Sequence, residues 1–426
     1  MTADPLRQPN AAPQPSPLVL FGAFDRHNFG DLLLGRIAAA QAAHLAPERP
    51  LCFAGLAARD LRADGGPQVR PVDGIARTLR HRATADFQAP PPGLLQVGGE
   101  ILDCRAYEAA IMLMRQDEAA RAIARHDRDL AGRERWAQRW LGIARHLPYL
   151  ASASMLPPAT RIVHAGVGGV GLARLPSAVQ AEACAALRGA ARVEVRDHRT
   201  QAWLASAGIA ASLAPDPAVL VARVLGAQIA ERAGQGEPAR IRARFPDGWI
   251  AAQLSAELGD DATLDALAVG LDALLRDTGL GLVLWCAGRA PWHDDPAVLH
   301  RLRAKLREPA RCLVAASTHL LDLCALLVGC TLCLASSLHA RIVAEAFARP
   351  AASLVRAGAQ GAKLHAYLES WHADALHLHD ITAGGPIQAA HAALAEPAAN
   401  RHARAARLAA CATAAAGRCF AALSGR

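Results

Sequence analysis

The stretch "TLCLASSLHARIVAEAFARPAASLV", residues 331–355, decides the fold. Leu332 to Ala335 form an unbroken apolar run, the pattern of a strand covered on both faces. Ser336 and Ser337 interrupt it. From Leu338 onward apolar residues recur at helical spacing, and Pro350 closes that segment before a second apolar run, "PAASLV". Strand, helix and strand in so short a span imply a parallel crossover unit. Ligands bind beyond the carboxyl ends of such strands, which is where Ser336, Ser337 and His339 fall. Either serine can cap the helix. His339 then lies in the first turn, where the positive helix end disfavours imidazolium unless an anion binds beside the ring. A structural histidine and a group working on an anionic substrate both remain open. A hydrolytic serine is not supported, because no nucleophile elbow surrounds the pair.

The same alternation extends outward in both directions. "PLVLFGAF" (17–24), "PLCFAGLA", "PGLLQVGGE" (92–100), "TRIVHAGVGG" and "ARVEVRD" read as strands separated by helical stretches. Residues 103–150 are charged and read as two helices. Residues 231–247, "ERAGQGEPARIRARFPDG" with its flank, are rich in Gly, Pro and charge and read as a linker. Alternation restarts at "GWIAAQLS". The fold class is therefore α/β, with two Rossmann-like parallel-sheet domains facing a central cleft. The expected organisation is a disordered tail at 1–17, domains at 18–230 and 248–385 around the linker, and Ala-rich C-terminal helices over 386–426.

The chain has 426 residues, 52 % of them hydrophobic and 4 % aromatic, so its cores must be built from Leu, Val, Ile and Ala. The net charge is +8 and comes from Arg, since Lys occurs only at Lys305 and Lys363. A basic surface suits acidic substrates or an anionic membrane face. No nucleic-acid module signature appears. Ten cysteines are scattered, and the Cys330–Cys333 pair lacks a second pair at zinc spacing, so no metal is expected. The apolar run Leu320–Ala335 is too short and mixed to span a bilayer. With no signal-peptide core at the N-terminus, a cytoplasmic protein is expected, working free or at the inner face of the membrane.

Three further motifs follow strands. "DRHNFGDLLL" (25–34) places Asn28, Gly30 and Asp31 at a helix start, where capping and anion binding are both available. "EVRDH" puts Arg196 at a strand end, as a carboxylate or phosphate clamp or as half of an Arg–Asp pair. "GVGGVG" (166–171) satisfies a dinucleotide pattern, but Pro176 delays the helix by several residues. A glycine-lined loop including Gly168 is the better reading.

Four blocks in order, "NFGDLLL", "GGEIL", "VRDHRTQAWLASAGI…PDPAVLV" and "CALLVGCTLCLASSLHARIVAEAFARP", resemble the polysaccharide pyruvyl transferase family over most of residues 18–356. The resemblance implies a GT-B-like arrangement and transfer of the enolpyruvyl skeleton of phosphoenolpyruvate onto a sugar of a cell-surface glycan or its lipid-linked precursor. The product it implies is a pyruvate ketal, formed without a cofactor. Arg196 would bind the donor, and His339 would act as acid/base or phosphate ligand, with Asp31 sharing the proton work. Asn28, Gly30, Gly98, Gly99, Gly168, Ser336 and Ser337 would line the site. Many members carry Arg where this chain has Ser337; Arg341 or Arg289 would replace that charge. Glu100 stands where a third glycine is usual, placed to orient an acceptor hydroxyl or to repel an anion. The competing readings are a GT-B nucleotide-sugar glycosyltransferase, for which Glu345 is the suggestive residue, a non-catalytic glycan-pathway relative, and last a dinucleotide oxidoreductase.

Overall fold

The computed structural model describes residues 16–85, 91–356, 361–372, 378–381 and 384–425. Most of the expected N-terminal tail, residues 1–15, lies outside the described residues. The first sheet contains β1 (Leu18–Phe21), β2 (Leu51–Gly55), β3 (Arg59–Asp60), β4 (Gln68–Pro71), β5 (Gly93–Val97), β6 (Arg161–Val167), β7 (Arg192–Val195) and β8 (Ser212–Leu213). Their spatial order is β3-β4-β2-β1-β5-β6-β7-β8. Only β3 runs antiparallel to its neighbour. The second sheet contains β9 (Trp249–Gln253), β10 (Gly281–Trp285), β11 (Cys312–Val314), β12 (Leu332–Ala335), β13 (Ala351–Val355) and β14 (Leu378–Asp380), in the order β11-β10-β9-β12-β13-β14.

That second order is the Rossmann order, and the first sheet repeats it with an added edge on each side. Among the parallel strands of each sheet the order reverses once, between β1 and β5 and between β9 and β12. The crevices at these reversals are the places where ligands bind in open α/β sheets. β1 is buried along its whole length, as are β5, β9, β10 and β12. Helices cover both faces of each sheet, which is why these strands read as continuous apolar runs.

Residues 231–247 are not an extended linker. The helix Val221–Ala233 runs into them, and a second helix spans Gly236–Arg244. Both pack on the helix Leu320–Gly329. The Gly-Glu-Pro that reads as a breaker is a helix start. Pro238 needs no N–H in the first turn, and Glu237 accepts backbone N–H bonds from Ala316 and Ser317. Residues 103–150 hold three helices, Ala106–Leu113, Gln116–His126 and Leu130–Leu141, instead of two.

The C-terminal helices part company. Gly385–Ala395 packs on β13 of the second sheet, whereas Ala398–Ser424 crosses back onto β5 and β6 of the first. Leu408, Ala412, Ala415, Cys419 and Leu423 form its buried stripe, at the spacing of one helix face. Cys330 and Cys333 are free and buried, and burial pushes the Cys330 thiol up to about 12. No helix among the described residues is long and apolar enough to cross a membrane.

Candidate active site

The segment after β1 is fixed by a buried carboxylate. Asp25 accepts the N–H groups of Leu56 and Ala57 at 2.5 and 2.9 Å and the Tyr149 hydroxyl at 2.7 Å. This anchor sets the direction of the next residue. Arg26 lies over the Tyr149 ring, 5.1 Å from its centroid, and its Nη2 is 3.3 Å from Asp31 Oδ2. Its Nε and Nη1 are buried without a hydrogen-bond partner. Asn28 caps the helix Phe29–Leu45, accepting from Gly30 and Asp31 N–H. Here the two domains touch: Phe29 N–H donates to Ala287 O at 2.6 Å, and Arg289 N–H to His27 O at 3.0 Å. His293 adds a ring nitrogen 3.2 Å from Asn28 Nδ2.

The second domain answers with the ends of β9 and β12. Gln253 Oε1 accepts the Ser337 N–H at 2.8 Å and the Ser336 hydroxyl at 3.2 Å. Its Nε2 donates to Asp294 at 2.9 Å, and Asp294 also accepts the Ala287 N–H at 2.6 Å. Burial pushes the Asp294 carboxyl up to about 7. Ser337 caps the helix Leu338–Ala346 through a 3.4 Å bond from Ala340 N–H, and Ser336 Oγ accepts the Ser255 N–H. Both serines thus shape the cleft wall. His339, in the first turn, reaches across the cleft to the first domain. A Cβ placed on Gly30 would come 2.0 Å from its Nδ1, and its Nε2 lies 3.5 Å from Asp216 Oδ2.

Arg196 is only 2 % exposed. Its Nη1 donates to Asp216 at 2.8 Å and its Nη2 to Glu100 at 2.5 Å. Burial alone would raise the Asp216 carboxyl, but His339 and Arg196 hold it well below the usual range. Glu100 also accepts the Val170 N–H at 2.8 Å. Gly168 leaves room for this pair: a Cβ there would come 2.4 Å from Glu100 Oε2 and 2.8 Å from Arg196 Nε. Gly98 and Gly99, at φ +39° and +83°, make the turn that carries Glu100 to it. Asp103, on the same turn, accepts the Gly171 N–H at 2.7 Å. Burial first, and then the charge of Glu100, push its carboxyl up to about 7.

Some residues expected in the site fall elsewhere. Arg341 is fully buried and bonds Glu345 at 3.0 Å and Ser353 at 3.2 Å, so it supplies no charge to the cleft. It sits two residues past His339 on the helix and turns into the domain. Glu345 is held in the same cluster, 3.4 Å from His372. Arg289 joins the domain contact through its backbone. Glu100 lines the cleft as the ion-pair partner of Arg196. Sequence reasoning singled out Arg196, held Arg26 and Asp103 only within the strand-end ranges 25–31 and 98–103, and passed over Trp292, His293 and Lys363; all of them line the cleft. Arg26 lay within the quoted 25–34 motif, one residue past the strand-end aspartate.

These residues enclose a cleft of about 520 Å³ between the domains. Two facing Rossmann-type sheets, with both strand-order reversals opening on one cleft and a last helix crossing back, define a two-domain GT-B-like α/β protein. The model of the polysaccharide pyruvyl transferase family matches residues 167–357. The resemblance read from the motifs is thus matched by the family's own model, and the activity class that goes with it is a transferase. No curated protein matches the chain. Solved structures with similar folds include a Listeria monocytogenes protein assigned as a UDP-N-acetylglucosamine 2-epimerase (12 % identity, 96 % of each chain covered, TM-score 0.54). The UDP-GlcNAc 2-epimerase of Methanocaldococcus jannaschii is another (11 %, 89 % of this chain and 92 % of that one, 0.52). A third is that of Neisseria meningitidis bound to UDP-GlcNAc (11 %, 92 % and 94 %, 0.51). At such identity the likeness is one of fold.

Proposed function

We propose that this protein transfers the pyruvyl group of phosphoenolpyruvate to a sugar of a cell-surface polysaccharide or its lipid-linked precursor, working in the cytoplasm or at the inner face of the membrane. The observation that carries the reading is Arg26: a buried guanidinium in the cleft, with its Nε and Nη1 lacking hydrogen-bond partners. A buried donor left unsatisfied is costly, and an anion relieves that cost. The helix starts at Asn28 and Ser337 add positive ends on either side, and Lys363 adds a flexible cation. Arg26 and Lys363 therefore take the donor-binding part first expected of Arg196. Arg196 instead holds Asp216, which faces His339, and so positions the histidine.

The chemistry suits these groups. A proton goes to the donor's methylene carbon, and one sugar hydroxyl bonds to C2. A second hydroxyl displaces the phosphate to close the ketal. The two hydroxyl protons end on the methyl group and on the departing phosphate. His339, with Asp31 or Asp103 as the second group, carries them.

The test is thermal stabilisation of the purified protein by phosphoenolpyruvate, by UDP-sugars and by NAD(P). A ligand at a hundred times its dissociation constant adds roughly 2.7 kcal/mol. Stabilisation by phosphoenolpyruvate, lost in Arg26→Gln, is expected. Stabilisation by UDP-sugars without any response to phosphoenolpyruvate would replace this reading with a nucleotide-sugar glycosyltransferase.

A further inference from the structure

Trp292 stands out on the cleft wall for two unrelated reasons. Its side chain is among the few large apolar groups left open, at 47 % exposure. Its backbone sits at φ +66°, a left-handed conformation that side chains of this size avoid. Strain of that kind persists only where the surroundings impose it. Here the surroundings do: His293 N–H donates to Ala290 O, Asp294 N–H to Gly288 O, and Ala256 N–H to His293 O, which locks the loop after β10 on both sides of Trp292. From the first domain, Gln116 Nε2 donates to Arg289 O at 3.1 Å and holds the same loop. The indole is braced against the Tyr107 ring, with centroids 5.8 Å apart.

The cleft it opens on carries acceptors as well as the cations Arg26 and Lys363. Glu108 and Glu257 line the same cleft. Glu108 Oε2 is buried without a hydrogen-bond partner, and its nearest cation, Arg133, is 4.0 Å from the other oxygen. A rigid, half-open indole in a cleft that carboxylates also line matches the two surfaces of a sugar ring, an apolar C–H face and a rim of hydroxyl donors. We infer that Trp292, with Glu108 and Glu257, forms the acceptor subsite and takes an uncharged hexopyranose residue. The carboxylates bond its hydroxyls and exclude a ring bearing its own carboxylate.

The position fits the chemistry. His293, next in sequence, touches Asn28, the cap of the helix whose Gly30 carries the His339 ring. The platform therefore borders the donor pocket. This inference rests on the proposed transferase reading, yet its test can fail separately. The probes are methyl β-D-glucopyranoside, methyl β-D-galactopyranoside and methyl β-D-glucuronoside, followed by saturation-transfer NMR and calorimetry, with and without phosphoenolpyruvate. One or both neutral glycosides are expected to bind, with the glucuronoside at least tenfold weaker. Trp292→Ala should weaken binding tenfold or more, and Trp292→Phe less. Trp292→Gly releases the backbone strain, so it should lose the sugar while melting no lower than the wild type. Its stabilisation by phosphoenolpyruvate should persist. Equal binding of the glucuronoside, undiminished affinity in Trp292→Gly, or no glycoside binding by the wild type would overturn the subsite. Loss of sugar binding in Trp292→Gly, with no phosphoenolpyruvate response in any form, would leave the subsite standing and remove the donor assignment.

Discussion

The ring of His339, on the second domain, occupies the space where any residue but glycine at position 30 would put its Cβ. Gly30 belongs to the first domain, so the contact couples the closeness of the domains to the placement of the histidine. Gly30→Ala sets two effects against each other. Alanine favours a helix over glycine by up to about 1 kcal/mol, but overpacking a tight contact costs about 1–3 kcal/mol. With 2.0 Å between the new methyl and Nδ1, the clash wins. The expected result is a lower melting temperature and a fall in transfer rate on the order of a hundredfold. A variant that melts higher with unchanged kcat would show that the ring simply swings away.

Arg26 and Arg196 should fail in different ways. Arg196 bonds two carboxylates in a buried site, so Arg196→Met strands Glu100 and Asp216. Removing one partner of a buried ion pair costs about 3–5 kcal/mol, and the loss should appear in denaturant melts with or without ligand. Arg26 has one ion-pair partner, Asp31, and two nitrogens without a hydrogen-bond partner. Arg26→Gln strands only Asp31, so it should lose less stability than Arg196→Met, while phosphoenolpyruvate binding weakens at least tenfold. Equal stability losses in the two variants would return Arg196 to the donor site.

That contrast marks where the sequence stops being legible. The parallel strands show as apolar runs, and both strand-to-helix junctions of the cleft can be placed from them. The edge strands β3, β4 and β14 cannot, because they are short and mostly polar or exposed, with too few apolar positions to set a period. The two arginines each follow a strand. What separates them is which carboxylates the fold brings near, and Glu100 lies 96 residues from Arg196. His339 could be read as a helix-start histidine, but its partner Asp216 belongs to the other domain. Trp292 drew no reading at all, since a positive φ at a tryptophan leaves no mark in composition.

Asp103 gives the site a pH signature. Its carboxyl is pushed up to about 7 by burial and by Glu100, so it changes charge near neutral pH. If it serves as the base of the transfer, the rate should rise with pH through about 7. Asp103→Asn should lower kcat and flatten that limb. Glu100→Gln removes the second cause of the shift, so the limb should move to lower pH. A limb that stays in place in both variants would assign it to another group, with Asp294, also raised to about 7, the next to replace.

His164 should govern part of the acid stability. It lies in β6, fully buried, with neither ring nitrogen hydrogen-bonded. Burial lowers it from 6.5 to about 3. The folded protein therefore keeps it neutral while the unfolded chain protonates it. Its contribution is fully present above about pH 6.5 and drains away as the pH falls toward 3. Asp103 and Asp294 act in the opposite sense, since their raised carboxyls favour the fold as the pH drops below about 7. The wild-type profile mixes these effects, and a single substitution separates them. His164→Met keeps the volume and removes two unpaired polar atoms, so it should be at least as stable at pH 7. Its advantage should then grow by up to about 1.4 kcal/mol for each pH unit between 6.5 and 3. Urea melts of both forms at pH 7.5, 6, 5 and 4 measure this directly. A constant difference across the series would mean that the ring takes up its proton in the folded protein as readily as in the unfolded chain.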